Sequence, residues 1–270
     1  MYNCGVSQTK GFKKTRKLIN AGVEIAGGAV GGALGFLAGG PLGAAALGAG
    51  GTAISKTLIH IGDELSERLL GPRELTRIGA TLALATKEIS ERIKNGENVR
   101  SDGFFEYDES GRSKADELSE SVLLKSQREP EEKKIPLLAH LLANISFSTE
   151  ISVSLGEQMI KAVEQLTYRQ LCILRLAAIN EHFKLRKTDY RGSDTFPREV
   201  YQLMHECYDL YNRGFISNAG HAALGITDIA PAGIRPQGLG ADIHNWMQLW
   251  QIPIEDIQLL ADVLSDTAKK

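Results

Sequence analysis

The 270-residue chain has room for two domains, and its 43% content of hydrophobic residues is ordinary for a globular protein. A net charge of −2 argues against a general nucleic-acid-binding protein, because such proteins carry excess Lys and Arg to neutralise phosphates. The cysteines Cys4, Cys172 and Cys207 are odd in number and form no CxxC pair, which is typical of reduced thiols in a cytosolic protein. We expect two of them in the core and one in a mobile tail.

The first notable segment of the chain is rich in glycine. Residues 25–55 include no charged side chain. Five glycines recur there every four residues: Gly27, Gly31, Gly35, Gly39 and Gly43. On a helix this spacing puts them on one face, where the bare backbone lets another helix approach closely. Each interior glycine costs a helix roughly 1 kcal/mol in water, so a bilayer or a tight partner helix is needed to hold it.

The same segment is too poor in large apolar side chains for an ordinary membrane anchor. Its length of about 30 residues exceeds the ~20 of one span and falls short of two, and Pro41 suits a hinge. We therefore predict a helical hairpin that packs through its glycine face, a Gly zipper. Two interpretations stay open: several copies insert into a membrane together, or the hairpin is sheltered within a soluble protein.

Basic residues precede the hairpin and are candidates for contact with lipid head groups. They are Lys10, Lys13, Lys14, Arg16 and Lys17. The first twenty residues contain no acidic side chain, and each cation near an anionic lipid surface contributes roughly 1 kcal/mol to binding. A solvated start of the first helix is the alternative. A secretory signal peptide fits poorly because Glu24 interrupts the apolar run. We expect a cytoplasmic protein that associates with the inner membrane.

A helical middle domain is predicted at 63–166, after the leader and hairpin at 1–62. Apolar residues at three-four spacing predict a helix at 72–95, with Pro72 in its first turn and Gly96 at its end. Leu82 and Ile89 are expected on the buried face of this helix. The polar segment 95–111 is predicted to be a loop, and its aromatic residues are expected to pack onto the helices: Phe104, Phe105 and Tyr107.

The rest of the middle domain is also predicted to be helical. Ser113 and Asp116 resemble a capping signal for a helix that continues to Arg128. The charge run from Glu129 to Lys134 is typical of a solvated helix face, and Pro130 within it suits a new helix start or a kink. Apolar faces at 135–145 and 155–166 predict two further helices.

The C-terminal domain is predicted at 167–270 and begins at a T-x-x-Q capping box, Thr167 to Gln170. After a first helix from this box, a second helix is predicted at 200–211, then a short strand at 215–216. The segments 226–229 and 233–235 are expected to pair as a hairpin. Trp246, Trp250 and their apolar neighbours have the helical spacing of a core. This order of elements is that of a winged-helix domain.

The charges of the second helix do not favour DNA binding by this domain. A helix that reads DNA presents Arg, Lys, Asn or Gln to base edges and phosphates. Here Glu199, Glu206 and Asp209 dominate, with Arg198 and Arg213 only at the ends. Phosphate would repel such a helix. We therefore expect no nucleic-acid partner, and a protein partner or sensing role instead.

The sequence contains no recognisable catalytic constellation, so we expect a protein that is not an enzyme and has no cofactor. The six histidines are scattered over different elements, and no pair has the spacing of a known metal motif. The glycines that repeat every four residues lack the strand-turn-helix context of a dinucleotide-binding loop.

Three longer runs carry a resemblance to known proteins. They are EEKKIPLLAHLLANI at 131–145, LTYRQLCILRLAA at 166–178, and GIRPQGLGADIHNWMQL at 233–249 followed by IPIEDI. These runs resemble a widespread group of uncharacterised bacterial helical proteins. The order of glycine-rich N-terminus, helical body and winged-helix-like end is similar to the abortive-infection alpha family, over about residues 110 to 250. This resemblance implies a role in bacterial defence against phage, and it carries no catalytic residue across.

Together these features predict a mainly α protein with a Gly-zipper hairpin, a helical middle domain and a C-terminal winged-helix-like domain with a small β-hairpin. The function we expect is that of a non-enzymatic membrane-active effector that forms homo-oligomers and disrupts membranes. The alternative is a soluble oligomeric interaction or regulatory module. Membrane lipid is the expected partner in the first case, and another protein, bound through the C-terminal domain, is compatible with both.

Overall fold

The computed structural model describes residues 53–54, 56–58, 60–61, 71–192 and 195–265. These residues form a mainly helical protein with a small two-stranded antiparallel sheet near the C-terminus, which confirms the mainly α fold class. The chain divides into two compact units between Ile160 and Lys161, which we call the N-terminal unit and the C-terminal unit. The domain boundaries expected after residues 62 and 166 stay predictions.

The N-terminal unit is built on helices α1 (Pro72–Lys94), α2 (Lys114–Arg128), α3 (Ile135–Ile145) and the first part of α4 (Val153–Gln165). Helix α1 packs against both α2 and α3 through the apolar face that its spacing predicts. Leu82 and Ile89 on this face are 1% and 4% exposed, so their predicted burial is confirmed. Gly96 follows the helix with φ of +85°, a conformation in which glycine is favoured.

The connection between α1 and α2 is tied to the unit through one buried guanidinium group. Arg100 Nη1 donates to the carbonyl oxygen of Ile151 at 2.8 Å, and its Nε donates to Asp102 Oδ1 at 2.9 Å. The guanidinium also lies 3.8 Å from the ring centre of Phe104, which is 2% exposed. Tyr107 is 51% exposed, so the expectation that this aromatic residue also packs onto the helices is wrong.

Helix α2 begins at the predicted capping signal. The Asp116 N–H donates to Ser113 Oγ at 3.1 Å, and the Ser113 N–H donates to Asp116 Oδ2 at 2.9 Å. These reciprocal hydrogen bonds satisfy two backbone donors at the end of the helix. The predicted cap of the C-terminal unit forms in the same way at Thr167, whose Oγ1 accepts from the Gln170 N–H at 3.2 Å.

Two members of the charge run after α2, Glu129 and Lys134, are buried where the sequence pattern predicts a solvated face, whereas Glu132 and Lys133 are exposed as that pattern predicts. Glu129 and Lys134 are each 1% exposed. The Lys134 and Lys125 ammonium groups lie 2.8 Å and 3.1 Å from Glu129 Oε2, and the Glu131 N–H donates to its Oε1 at 3.1 Å. Burial alone would raise the pKa of Glu129, but the hydrogen bonds from Lys134 and Glu131 and the charge of Lys134 outweigh it and lower that pKa. We call these three charged side chains, Lys125, Glu129 and Lys134, the buried ion cluster.

The C-terminal unit comprises helices α5 (Tyr168–Ala178), α6 (Arg198–Asn212), α7 (Gly238–Trp246) and α8 (Ile254–Val263), and strands β1 (Ile216–Asn218) and β2 (Ile234–Pro236). Helix α5 is central, since α8, α7 and β2 pack against it. In the sheet, Ile216 pairs with Pro236 and Asn218 with Ile234. The predicted pairing of 226–229 with 233–235 is wrong, because Ile226–Asp228 is a 3-10 turn and β2 pairs with β1.

The core of the C-terminal unit contains two of the cysteines. Cys172 and Cys207 are buried and form no disulfide, as predicted, while Cys4 lies outside the described residues. Burial raises the pKa of the Cys207 thiol to about 12. Trp250 is 48% exposed, so its predicted place in the core is wrong.

Candidate protein-interaction surface

The site residues predicted from the sequence lie outside the described part of the chain. This holds for the five glycines at 27–43 with Pro41, and for the basic residues at 10–17. Within the described ranges, none of the helices combines the length and the apolar character that crossing a membrane requires. The functional expectation that falls on described residues is the protein-binding role of the C-terminal unit, and in particular of helix α6.

One stripe of α6 is acidic, and two of its carboxylates, the half-buried Glu206 and Asp209, have partners within the unit. Arg169 Nε donates to both carboxylate oxygens of Glu206, at 3.0 Å and 2.9 Å, and these hydrogen bonds raise the pKa of the guanidinium. Gln170 Nε2 donates to Asp209 Oδ2 at 2.9 Å. Both donors belong to the first turn of α5, so the acidic stripe holds α5 and α6 together.

The cations at the two ends of α6 have different surroundings. Arg213 Nη2 donates to Gln165 Oε1 at 2.9 Å, and the same guanidinium lies 3.7 Å from Asp209 and 4.7 Å from the Phe215 ring centre. Arg213 is therefore engaged within the unit. Arg198, at the first position of α6, is exposed.

The segment between the strands, which we call the 219–233 loop, is shaped by hydrogen bonds from two side chains. Asn218, 3% exposed, donates from Nδ2 to the Asp228 carbonyl oxygen at 2.9 Å and accepts from the Ala230 N–H at 3.0 Å. Asp228 Oδ2 accepts from the Leu224 N–H at 2.7 Å, and its Oδ1 accepts from Arg191 Nε at 2.6 Å. The hydrogen bond from Arg191, followed by that from Leu224, lowers the pKa of Asp228 to about 2.

The same loop is attached to α6 by two tyrosines. Tyr208 Oη donates to the Leu224 carbonyl oxygen at 2.9 Å, and Tyr211 Oη accepts from the Ala223 N–H at 3.2 Å. The two tyrosine rings stack with their centroids 6.4 Å apart. The backbone of Leu224 is thus held on both sides, by Tyr208 at its carbonyl group and by Asp228 at its N–H, whereas its side chain is 85% exposed.

Exposed residues on another face of α6 extend the surface around Leu224. Tyr201, 48% exposed, precedes Tyr208 by seven residues and lies on the same face of the helix, with the exposed His205 between them. We call Tyr201, His205, Tyr208 and Leu224 the aromatic surface. The loop part of this surface is neutral, because no Asp, Glu, Lys or Arg occurs from Phe215 to Thr227. Its α6 part is bordered by charge, since the exposed Arg198 lies one turn before Tyr201 and Asp209 one turn after His205.

Polar groups elsewhere in the C-terminal unit have structural roles. Tyr168 Oη donates to Asp256 Oδ2 at 2.8 Å, and burial followed by its neighbours raises the pKa of this phenol. Arg175 donates to the Leu249 carbonyl oxygen at 3.1 Å. Burial, and then the charge of Arg175, lowers the pKa of His244. Among the described residues, no group of three or more His, Cys, Asp and Glu side chains is arranged to hold a metal ion.

The residues of the aromatic surface were not predicted as a site. One signal for it exists in the sequence, namely the charge-free run from Phe215 to Thr227 in a chain with 24% charged residues. The contribution of α6 has no such signal, because Tyr201 and Tyr208 look like core aromatic residues at helical spacing.

Comparison of the chain with protein-family models, with curated proteins and with solved structures found no match. The resemblance to the abortive-infection alpha family stays a prediction.

Proposed function

We propose that this protein is a non-enzymatic, membrane-active bacterial protein whose glycine-rich N-terminal segment engages lipid and whose C-terminal unit binds protein. The observation that carries the proposal is the charge-free stretch 25–55 with glycine at every fourth position from Gly27 to Gly43. A single copy of such a segment gains little free energy from forming a helix in water. Several copies gain close helix contacts when they pack together in a bilayer. The basic residues at 10–17 add attraction to anionic lipid.

The biological role we propose is that of an effector of phage defence by abortive infection, in which membrane damage arrests the infected host. It is supported by the resemblance of residues 110–250 to the abortive-infection alpha family, together with the membrane-active character of the N-terminal segment. The alternative, a soluble oligomeric regulatory module, shares the protein-binding C-terminal unit and differs in the role of the glycine-rich segment.

A winged-helix-like domain that binds protein is our proposal for the C-terminal unit. The order α5, α6, β1, loop, β2, α7 supports the winged-helix comparison. Helix α6 would be the recognition helix, and its acidic stripe is used to hold α5. The 219–233 loop, in the place of the wing, contains no Lys or Arg to contact phosphate.

The membrane proposal is tested by changing the glycine face. We expect Gly31→Leu with Gly35→Leu to abolish leakage of dye from vesicles that contain anionic lipid, while flotation of the protein with those vesicles persists. The leucines block close helix approach but make the segment more apolar. A matched control is Ala33→Leu with Ala44→Leu, which adds the same side chains off the glycine positions.

Intact leakage after the glycine substitutions would show that the glycine face is not the packing surface. If the full-length protein does not float with vesicles and removal of residues 1–62 changes nothing in that assay, the soluble regulatory module is favoured.

We also expect the full-length protein to show no binding to duplex DNA in a gel-shift assay at about physiological salt. Useful affinity through phosphate contacts needs several Lys or Arg acting together, and α6 offers Arg198 as its exposed cation. Tight, salt-sensitive binding that is lost with Arg198→Ala or Arg213→Ala would contradict this expectation and favour a membrane-tethered transcriptional regulator.

A further inference from the structure

We infer that the aromatic surface of the C-terminal unit is a self-association site, and that its occupant is the same surface of a second copy of this chain. The inference rests on the proposed protein-binding role of this unit and names the partner. It is carried by the way the structure presents Leu224 and by the distribution of charge around it.

Leu224 has the features of an anchor residue in an interface. Its side chain is 85% exposed, the most of the large exposed hydrophobic residues in the described part of the chain. Yet its N–H donates to Asp228 and its carbonyl oxygen accepts from Tyr208, at 2.7 Å and 2.9 Å. An apolar side chain on a backbone held at both ends loses little conformational entropy when it binds.

The residues beside Leu224 extend the contact area. Tyr208 and Tyr201 lie on one face of α6, and tyrosine is enriched among the residues that dominate binding energy at protein interfaces. The exposed residues next to Leu224 in the loop are small or uncharged: Ala219, Gly220, His221 and Ala222. The surface is therefore apolar with a few polar groups, as the centre of an interface is.

The absence of charge in the loop around Leu224 favours a second copy over a partner of opposite charge. In a two-fold symmetric contact each group near the axis meets its own copy, so every charge there faces a like charge. A partner of opposite charge would instead select a charged surface. Phe215 to Thr227 contains no Asp, Glu, Lys or Arg, and the nearby charges of Arg191 and Asp228 neutralise each other at 2.6 Å. A two-fold axis at Leu224 would therefore pass through the neutral loop, away from the charges of Arg198 and Asp209 on α6.

Another exposed leucine supplies a matched control. Leu259 on α8 is 67% exposed, but Glu255 and Asp262 flank it on the same helix face. A two-fold contact through Leu259 would bring these carboxylates toward their own copies. Leu224 and Leu259 therefore differ in their electrostatic surroundings more than in their exposure.

The test is sedimentation equilibrium of the full-length protein. We expect Leu224→Glu to raise the dissociation constant of the smallest oligomer by about tenfold or more, since it places like charges together at the axis. Leu259→Glu is expected to leave that constant within about twofold of the original protein. Mixing Leu224→Glu protein with Leu224→Lys protein is expected to restore association. Leu224→Ala, which adds no charge, is expected to weaken association in the same direction.

The measurements are repeated with Gly31→Leu and Gly35→Leu present, so that association through the glycine segment is separated from association through Leu224. Far-UV circular dichroism and tryptophan emission establish that each variant is folded. A wild-type protein that does not associate, equal effects of the Leu224 and Leu259 variants, or no effect of Leu224→Glu would each overturn the inference. If Leu224→Glu abolishes vesicle flotation but leaves self-association unchanged, the inference is also overturned, and lipid is indicated as the occupant of the surface. Failure of the membrane proposal appears separately, in the leakage and flotation measurements.

Discussion

Replacing Glu129 by glutamine is expected to lower the free energy of unfolding of the N-terminal unit by about 3 to 5 kcal/mol. Glu129 Oε2 lies 2.8 Å from Lys134 Nζ and 3.1 Å from Lys125 Nζ, and all three side chains are at most 7% exposed. The substitution keeps the shape of the side chain but removes the charge that both buried ammonium groups contact. Breaking a buried ion pair from one side costs more than the pair contributes, since the remaining charge stays desolvated.

Urea unfolding of the full chain followed by far-UV circular dichroism measures this effect. Both tryptophans, Trp246 and Trp250, belong to the C-terminal unit, so tryptophan emission reports on that unit and serves as an internal comparison. The control is Glu132→Gln, an exposed carboxylate in the same turn, which is expected to change stability by less than about 0.5 kcal/mol. Equal behaviour of the two variants would contradict the role assigned to the buried ion cluster.

The buried ion cluster also sets a pH dependence. The pKa of Glu129 is lower in the folded chain than its ordinary value of 4.5, so the unfolded chain binds its proton more readily. The stabilisation is therefore complete above about pH 4.5 and is lost as the pH falls through the lower pKa of the folded state. Glu129→Gln removes this component, and its unfolding free energy is expected to fall less steeply in acid than that of the original protein.

Truncating Leu82 to alanine is expected to cost about 2 to 5 kcal/mol of stability. Leu82 is 1% exposed on the face of α1 that packs against α2 and α3, so the deleted carbons leave a cavity in the core. Ile89→Ala, two turns further on, is expected to act in the same direction and range. Urea unfolding of the full chain, followed by far-UV circular dichroism, measures both losses of stability.

Leu84 provides the control for this prediction, because it lies on the same helix and is only partly buried. Leu84→Ala is expected to cost clearly less than Leu82→Ala, because a partly buried side chain removes less apolar surface from water and leaves a smaller cavity when it is truncated. A cost for Leu82→Ala below about 1 kcal/mol would show that α1 does not form the core of the N-terminal unit.

The sequence by itself determined the elements whose signals are local. The capping pairs Ser113 with Asp116 and Thr167 with Gln170 are separated by three residues, and the hydrogen bonds that define them form within one turn. The period of apolar residues in α1 likewise depends on helix geometry alone, so it placed Leu82 and Ile89 in the core. The glycine spacing from Gly27 to Gly43 is known from the sequence alone, because these residues lie outside the described part of the chain.

Tertiary structure decided which polar groups are buried and which strands pair. The run from Glu129 to Lys134 has the sequence pattern of a solvated helix face. The spacing of its residues does not reveal that Lys125 and Lys134 both contact the Glu129 carboxylate. The hydrogen bonds of Asp228 to Leu224 and Gly225 close a turn at 226–228, which leaves β2 to pair with β1. Gly240 has a role invisible in the sequence, since a Cβ there would lie 2.1 Å from the Phe215 carbonyl oxygen.

The aromatic surface shows the same division. The charge-free run around Leu224 is visible in the sequence, but its attachment to Tyr208 joins residues 16 positions apart through one hydrogen bond. Local propensity determines which residues form a helix or a turn, because those interactions span a few residues. Exposure, ion pairing and the assembly of a surface depend on contacts between distant segments, and only the folded chain establishes those contacts.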